Sequence, residues 1–133
     1  MEQLKVGISD YKVTQAPNTL ITLGLGSCVG IALYNQRTKV GGLIHIMLPD
    51  STSFTDTSNW VKFADLAIPR VAKEIAGNRP HSLVAKIAGG ASMFQFKFSS
   101  PGLEIGKRNI EMVKKILEDL FRFLLEEARI ILV

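Results

Sequence analysis

The sequence predicts an α+β fold in which strands occupy the first part of the chain and two main helices follow. Segments rich in β-branched and aliphatic residues, separated by turn-forming residues, fill residues 5–48. Two later segments, beginning at Asn59 and near Ile110, carry apolar residues at helical spacing. The 133 residues, of which 47% are hydrophobic and 21% charged, are typical of one globular domain, and we expect residues 1–133 to form it.

The first part of the chain predicts a strand followed by a β-hairpin. The strand spans residues 5–14 and ends at the turn-forming residues 15–18. Residues 20–34 contain three glycines, at which we expect a strand to bend or to give way to a tight turn. The polar residues 35–39 then form a turn, and the apolar residues 40–48 return as the second strand of the hairpin.

The middle of the chain predicts a loop, a helix and a strand. Residues 50–59 are too polar to bury and indicate an exposed loop. The helix that follows ends at Gly77, and we expect Pro69 to kink it. Residues 83–88 read as a strand that turns at the glycine pair directly after it.

The last part of the chain predicts an amphipathic helix. Its apolar positions lie three and four residues apart: Ile110, Val113, Ile116, Leu117, Leu120, Leu124 and Ala128. Before it, Phe94, Phe96 and Phe98 alternate with polar residues, which favours a short strand with core phenylalanines over a binding stripe. The apolar residues 129–133 fit either a continuation of the helix or a terminal strand.

Composition argues against several classes of function. Lys and Arg number 16 against 12 Asp and Glu, giving a net charge of +4, but the basic residues are scattered, so nucleic-acid binding is disfavoured. One cysteine and two histidines complete neither an internal disulfide nor a common zinc site. Neither a signal peptide nor an apolar segment of about 18 residues is recognisable. We therefore expect a cytoplasmic protein that does not insert into membranes.

The glycines do not form a nucleotide-binding motif. Gly24, Gly26 and Gly30 depart from the dinucleotide fingerprint, because the third glycine comes one position too late. A phosphate-binding Gly-Lys-Ser/Thr sequence is also missing. We therefore expect no cofactor, and a glycine-rich bend explains these residues without a ligand.

The strongest candidate for chemistry is a pair formed by Cys28 and His45. If the hairpin turn is centred between Gln36 and Arg37, the antiparallel register places Cys28 directly opposite His45. Directly opposed side chains share a face, with Cβ atoms about 4.5–5.5 Å apart. Because a neighbouring imidazolium favours the thiolate, this geometry predicts a nucleophilic cysteine with a pKa below that of a free thiol.

The glycine-rich segment around Cys28 also offers groups that stabilise an oxyanion. Backbone N–H groups of such a segment can face an incoming carbonyl, which makes Gly26 and Ser27 candidate oxyanion or pocket residues. The glycine fits a purely structural bend equally well. The turn at Gly89 and Gly90 is a weaker candidate for lining the pocket, and a structural role is favoured there.

A structural explanation without chemistry is also open for the pair. A lone cysteine in an apolar strand is usually a small core residue, and a histidine between Ile44 and Ile46 is usually hydrogen-bonded within the core. A bulge at Gly41 or Gly42 would shift the pairing by one residue and place the two side chains on opposite faces.

Six segments together resemble the CheD family of chemoreceptor glutamine deamidases. In chain order they are TLGLGSC at residues 22–28, KVGG at 39–42 followed by His45, MLPD at 47–50, KFAD at 62–65, AKIAGGASMF at 85–94 and IGKRN at 105–109. The resemblance extends over roughly residues 5–120, and it is specific because several motifs occur in the expected order and spacing.

The resemblance implies a fold, an activity and partners. The family's fold has sandwich-like, mixed β-sheets flanked by helices and is similar to that of toxin-type cysteine deamidases. Its catalytic cysteine, histidine and threonine fall on Cys28, His45 and Thr22. The implied reaction converts glutamines of methyl-accepting chemotaxis receptors to glutamate and extends to glutamyl methyl esters. A CheC-type phosphatase is the further implied partner, and Thr22 would orient His45.

Two features leave alternatives open. A threonine in a strand is ordinary, and nothing in the spacing places Thr22 near His45. The chain also departs from the family pattern after Asp119, where we expect the usual C-terminal strands to be lacking. One alternative function is therefore a non-catalytic adaptation module that binds receptors or the phosphatase, and another is a cysteine hydrolase that acts on other amides or esters.

Overall fold

The computed structural model describes residues 1–91, 104–121 and 130–132, and it confirms the α+β fold. The strands in these residues are β1 (Gln3–Val6), β2 (Asp10–Gln15), β3 (Thr19–Thr22), β4 (Val29–Asn35), β5 (Val40–Ile46), β6 (Leu83–Gly89) and β7 (Ile130–Leu132). The α-helices are α1 (Ala64–Ala76) and α2 (Ile105–Leu120). Single turns of 3-10 helix span Trp60–Lys62 and Pro80–Ser82.

The strands form two sheets. The larger has five strands in the order β2-β5-β4-β6-β7, in which β7 runs parallel to β6 and the other neighbours are antiparallel. The smaller sheet pairs β1 with β3 in parallel. The larger sheet is therefore mixed, as the resemblance implied.

Both helices pack against one face of the larger sheet. Alternate residues of β4 and β5 on this face are at most 1% exposed: Val29, Ile31, Leu33, Ile44 and Ile46. They form one apolar cluster with buried residues of α1 and α2, among them Ile68, Val71, Val113 and Leu117. This face is the core of the fold, and its alternating pattern is that of a sheet buried on one side by helices.

The small sheet covers the opposite face near one end of β4 and β5. A Cβ at Gly30 would lie 3.3 Å from the side chain of Leu25 and 3.6 Å from the methyl group of Thr22. Val6, at the end of β1, is 1% exposed. His45 lies opposite Gly30 on this face and is completely buried. The histidine is thus enclosed between the two sheets.

The prediction of one continuous strand over residues 5–14 is wrong. The segment divides into β1 and β2, which belong to different sheets, and the turn between them contains Ser9 with a φ of 55°. The bend predicted within residues 20–34 is confirmed, since β3 ends at Thr22 and β4 begins at Val29. The hairpin of β4 and β5 is also confirmed.

The later elements follow the predictions closely. Residues 50–59 form a loop, and α1 ends at Gly77, as predicted. The helix begins at Ala64, after a 3-10 turn, and continues through Pro69 as one element. The strand at residues 83–88 is confirmed as β6.

The last helix begins earlier than predicted, and the terminal residues contain a strand. Helix α2 begins at Ile105, earlier than its apolar stripe indicated, and is described to Leu120. Of the two possibilities for the terminal residues, the structure has the strand β7. The alternating Phe94, Phe96 and Phe98 lie outside the described residues.

Candidate active site

The register of the hairpin differs from the predicted one. Gly30, and not Cys28, lies directly opposite His45. Asn35 pairs with Val40, so the connecting loop holds four residues and is centred one position later than predicted. Cys28 lies two residues before Gly30, at the bend that precedes β4. The predicted direct opposition of Cys28 and His45 is therefore wrong.

The structure brings Thr22 and His45 together. Thr22 Oγ1 lies 2.8 Å from His45 Nδ1 and 2.8 Å from the carbonyl oxygen of Val6. The hydroxyl has one proton, and the carbonyl can only accept, so the hydroxyl donates to Val6 and accepts from Nδ1–H. This pattern assigns the proton of a neutral imidazole to Nδ1 and leaves the lone pair on Nε2.

His45 Nε2 is buried and has no hydrogen-bond partner among the described residues. Burial lowers the pKa of His45, which favours the neutral imidazole. A buried base whose acceptor nitrogen is unpaired is poised to take a proton from a group that comes into reach. His45 is therefore not a core histidine whose two ring nitrogens are both hydrogen-bonded within the described residues.

Cys28 is only partly buried, so it is not a sealed core residue. Burial raises the pKa of its thiol, and a hydrogen bond from its own backbone N–H offsets this only in part. The expected lowering of the thiol pKa is thus wrong, because burial disfavours the charged thiolate. The thiol does not bond Nε2 in this structure.

The loop that carries Cys28 is held by backbone hydrogen bonds to the turn after β6. Gly90 N–H donates to the Cys28 carbonyl at 2.8 Å, and Ala91 N–H donates to the Gly26 carbonyl at 2.9 Å. Cys28 N–H donates to Leu25 O at 2.6 Å, so this N–H is already engaged within the loop. The glycine turn therefore fixes the backbone on both sides of the cysteine.

The backbone carbonyl of Ser27 is held by a side chain of α2. The side-chain amide of Asn109, in the first turns of α2, donates from Nδ2 to the Ser27 carbonyl at 2.9 Å. The sequence pattern alone indicates no role for Asn109. Asn109 lies four residues before Val113 on the apolar face of α2 and is completely buried. A polar residue within an apolar stripe is therefore the feature of the sequence that could have identified it. The oxyanion roles of Gly26 and Ser27 stay predictions.

A known protein family matches more than half of this chain. Residues 47–127 match the family model described as CheD chemotactic sensory transduction. A protein of Clostridium botulinum (strain Eklund 17B / Type B) named "Probable chemoreceptor glutamine deamidase CheD" is 56% identical over 119 residues, which cover 88% of this chain and 74% of that protein. The chain belongs to the CheD family. Its resemblance to that family is thus confirmed.

Two further CheD relatives carry the same name. That of Clostridium kluyveri is 55% identical over 120 residues, covering 89% of this chain and 74% of the relative. That of Desulforamulus reducens is 54% identical over 128 residues, covering 94% of this chain and 77% of the relative. The span matched by the CheD family model begins after His45, so it includes Asn109 but neither Thr22 nor Cys28.

Among residues 1–91, 104–121 and 130–132, no three His, Cys, Asp or Glu side chains come together in a group that could hold a metal ion. Neither helix in this part of the chain is long and apolar enough to cross a membrane.

Proposed function

We propose that this chain is a protein-glutamine deamidase that converts glutamines in the cytoplasmic region of chemotaxis receptors to glutamate. The relatives' names support the substrate class. The observation that carries the proposal is the 2.8 Å contact between Thr22 Oγ1 and His45 Nδ1, together with the unpaired Nε2. In this arrangement the threonine fixes the tautomer and orientation of a general base, which is the part that the third member plays in other triads.

In the proposed mechanism Cys28 is the nucleophile. Its sulfur attacks the carboxamide carbon of glutamine while His45 Nε2 takes the thiol proton. The resulting imidazolium gives that proton to the amide nitrogen, the C–N bond breaks, and ammonia leaves a thioester. His45 then takes a proton from water as the water attacks the thioester, the C–S bond breaks, and the proton returns to sulfur. The products are glutamate and ammonia.

The resting protonation states favour this order of events. Burial raises the pKa of Cys28 and lowers that of His45, so both groups are neutral before substrate binds. The proton therefore moves as the C–S bond forms, rather than beforehand. Cys28 lies in the bend that precedes β4, two residues before Gly30, which pairs with His45.

Three finer parts of the proposal rest on the family resemblance. A glutamyl methyl ester would form the same thioester with loss of methanol, so ester hydrolysis needs no further residue. Gly26 and Ser27 would contribute to oxyanion stabilisation. A CheC-type phosphatase is the proposed protein partner, and the receptor substrate places the protein in the cytoplasm.

The test is deamidation of a purified receptor cytoplasmic fragment, followed by mass spectrometry of its peptides. Wild-type protein should produce the mass increase of replacing an amide NH₂ by OH, and Cys28→Ala should produce none. Thr22→Val removes the hydroxyl at nearly constant volume and should lower kcat by roughly 100-fold, since the imidazole loses its tautomer and orientation. Thr22→Ser keeps the hydroxyl and is the matched control, with most of the activity retained.

Three outcomes would contradict the proposal. Deamidation that survives in Cys28→Ala would exclude the cysteine mechanism. Turnover of small esters without action on receptor glutamines would indicate a hydrolase of other substrates. Receptor binding that is insensitive to Cys28→Ala, without any turnover, would indicate a non-catalytic adaptation module.

A further inference from the structure

We propose that Asn109 is a positioning residue, which ties the segment that carries Cys28 to the segment that carries His45. The inference rests on the proposed function, because it concerns the geometry of that same site. Its basis is a single side-chain amide in α2 that bridges two carbonyl groups far away in the sequence. One belongs to Ser27, the residue before the cysteine, and the other to Met47, two residues after the histidine.

Both protons of the Asn109 amide are used in this bridge. Nδ2 lies 2.9 Å from Ser27 O and 2.9 Å from Met47 O. Both partners are carbonyl oxygens, so the nitrogen of the amide must face them, and the oxygen cannot. Two donors in fixed directions hold two carbonyls at a fixed separation, which an apolar side chain of the same size would not do.

The oxygen atom of the Asn109 amide does not help to stabilise the fold. Asn109 is completely buried, and its Oδ1 has no hydrogen-bond partner among the described residues. An unpaired buried acceptor lowers the stability of the folded protein. Its neighbours on the buried face of α2 include Val113 and Leu117. Retaining an incompletely satisfied amide on this apolar face is typical of a residue that serves the site.

The bridge completes the support of the cysteine loop. The turn after β6 holds the carbonyls of Gly26 and Cys28, while Asn109 alone holds the carbonyl between them among the described hydrogen bonds. Loss of the bridge would let the cysteine move relative to His45. A displacement of about 1 Å in an active site can lower the rate by roughly 100-fold.

The chain offers a matched control in Asn35, a second buried asparagine. Its Oδ1 accepts from the N–H groups of Arg37 and Thr38, at the other end of the hairpin. Asn35 therefore uses its oxygen, whereas Asn109 uses its nitrogen. Replacement by aspartate keeps the acceptor that Asn35 needs and removes the donors that Asn109 needs.

The experiment compares Asn109→Asp, Asn109→Ala and Asn35→Asp in receptor deamidation, at a temperature where circular dichroism shows each variant folded. The alanine variant removes the donors without burying a charge, so it serves if the aspartate variant does not fold. We expect both Asn109 variants to lower kcat by roughly 100-fold with little change in KM, because substrate contacts are intact. Asn35→Asp should retain the wild-type kcat.

A second readout does not depend on turnover. Hydrogen exchange at the amides of Gly90 and Ala91, which donate to the cysteine loop, should be faster in Asn109→Ala than in wild type and unchanged in Asn35→Asp. Wild-type kcat in a folded Asn109→Ala variant, or unchanged exchange, would overturn the inference. An inactive wild type with accelerated exchange in Asn109→Ala would instead refute the proposed function and leave the bridge in place.

Discussion

The two ends of the β4–β5 hairpin each depend on a buried asparagine, but the two asparagines act over very different distances. At the turn end, Asn35 is 4% exposed and bonds the N–H groups of Arg37 and Thr38, two and three residues away. At the site end, Asn109 bonds carbonyls 82 and 62 positions away in the sequence. The same residue type thus closes a local turn at one end and joins distant segments at the other.

This difference separates an end that is built by local contacts from one that distant elements assemble. The turn end needs only its own residues, so it can form with the hairpin. The site end exists only once α2 and the turn after β6 have packed against the loop that carries Cys28. Changes in those remote elements should therefore affect the site end and leave the turn end intact.

The largest expected effect comes from Gly106, in the first turn of α2. A Cβ there would collide with the backbone oxygen of Ala91 and lie 2.7 Å from that of Gly90. Alanine normally stabilises a helix by about 1 kcal/mol relative to glycine. Here we expect Gly106→Ala to lower the free energy of unfolding, by about 1–3 kcal/mol, because backbone atoms must move. Urea unfolding measures the change, and deamidation should fall with it.

The control for this substitution lies at the turn end. At Gly41 the nearest atom to an added Cβ would be Cδ1 of Tyr34, at 3.3 Å, and an aromatic side chain can adjust. Gly41→Ala should therefore change stability less than Gly106→Ala and leave deamidation unaltered. A Gly106→Ala variant that is as stable as wild type would show that the contact between α2 and the glycine turn is loose, and the contrast between the two ends would fail.

The sequence predicts the turn end better than the site end, because the turn end depends on contacts between residues close in the sequence. Alternation, turn residues and helical spacing are local, and they identify the hairpin, α1, β6 and α2. The predicted register is wrong because the loop spans residues 36–39 and is centred between Arg37 and Thr38. It ends at Lys39 with a φ of 64°, a conformation that lysine seldom adopts. The shift of the loop centre moves the partner of His45 from Cys28 to Gly30.

The contacts that build the site are long-range and leave little trace in spacing. Thr22 reaches His45 because β3 pairs with β1 and the small sheet folds over the larger one. The family resemblance named Thr22, while no pattern placed it. Asn109 had a local signal, a polar residue on an apolar stripe, but its partners lie in distant segments. The thiol pKa of Cys28 is raised by burial, which the spacing of residues does not reveal.

The next prediction concerns the thiol at the site end. Since burial raises the pKa of Cys28, iodoacetamide should alkylate it slowly near neutral pH, with a rate that rises only above the free-thiol value of about 8.5. His45→Gln should leave the midpoint of this pH profile almost unchanged, because the neutral imidazole does not stabilise the thiolate. A midpoint below about 8.5 that rises in His45→Gln would instead reveal a preformed thiolate–imidazolium pair.

The smallest expected effect is the dependence of stability on the protonation of His45. Burial lowers its pKa in the folded protein, whereas the unfolded chain titrates near 6.5. Below that pH the unfolded chain binds a proton that the folded protein does not, so the free energy of unfolding falls as the pH falls towards the folded pKa, by at most about 1.4 kcal/mol per pH unit. The stabilisation is complete above about pH 6.5. Urea unfolding across this range should show the decline in wild type and a smaller decline in His45→Gln. An equal decline in the two proteins would mean that the proton is not excluded from the site end, and the buried imidazole would then be as accessible to acid as it is in the unfolded chain.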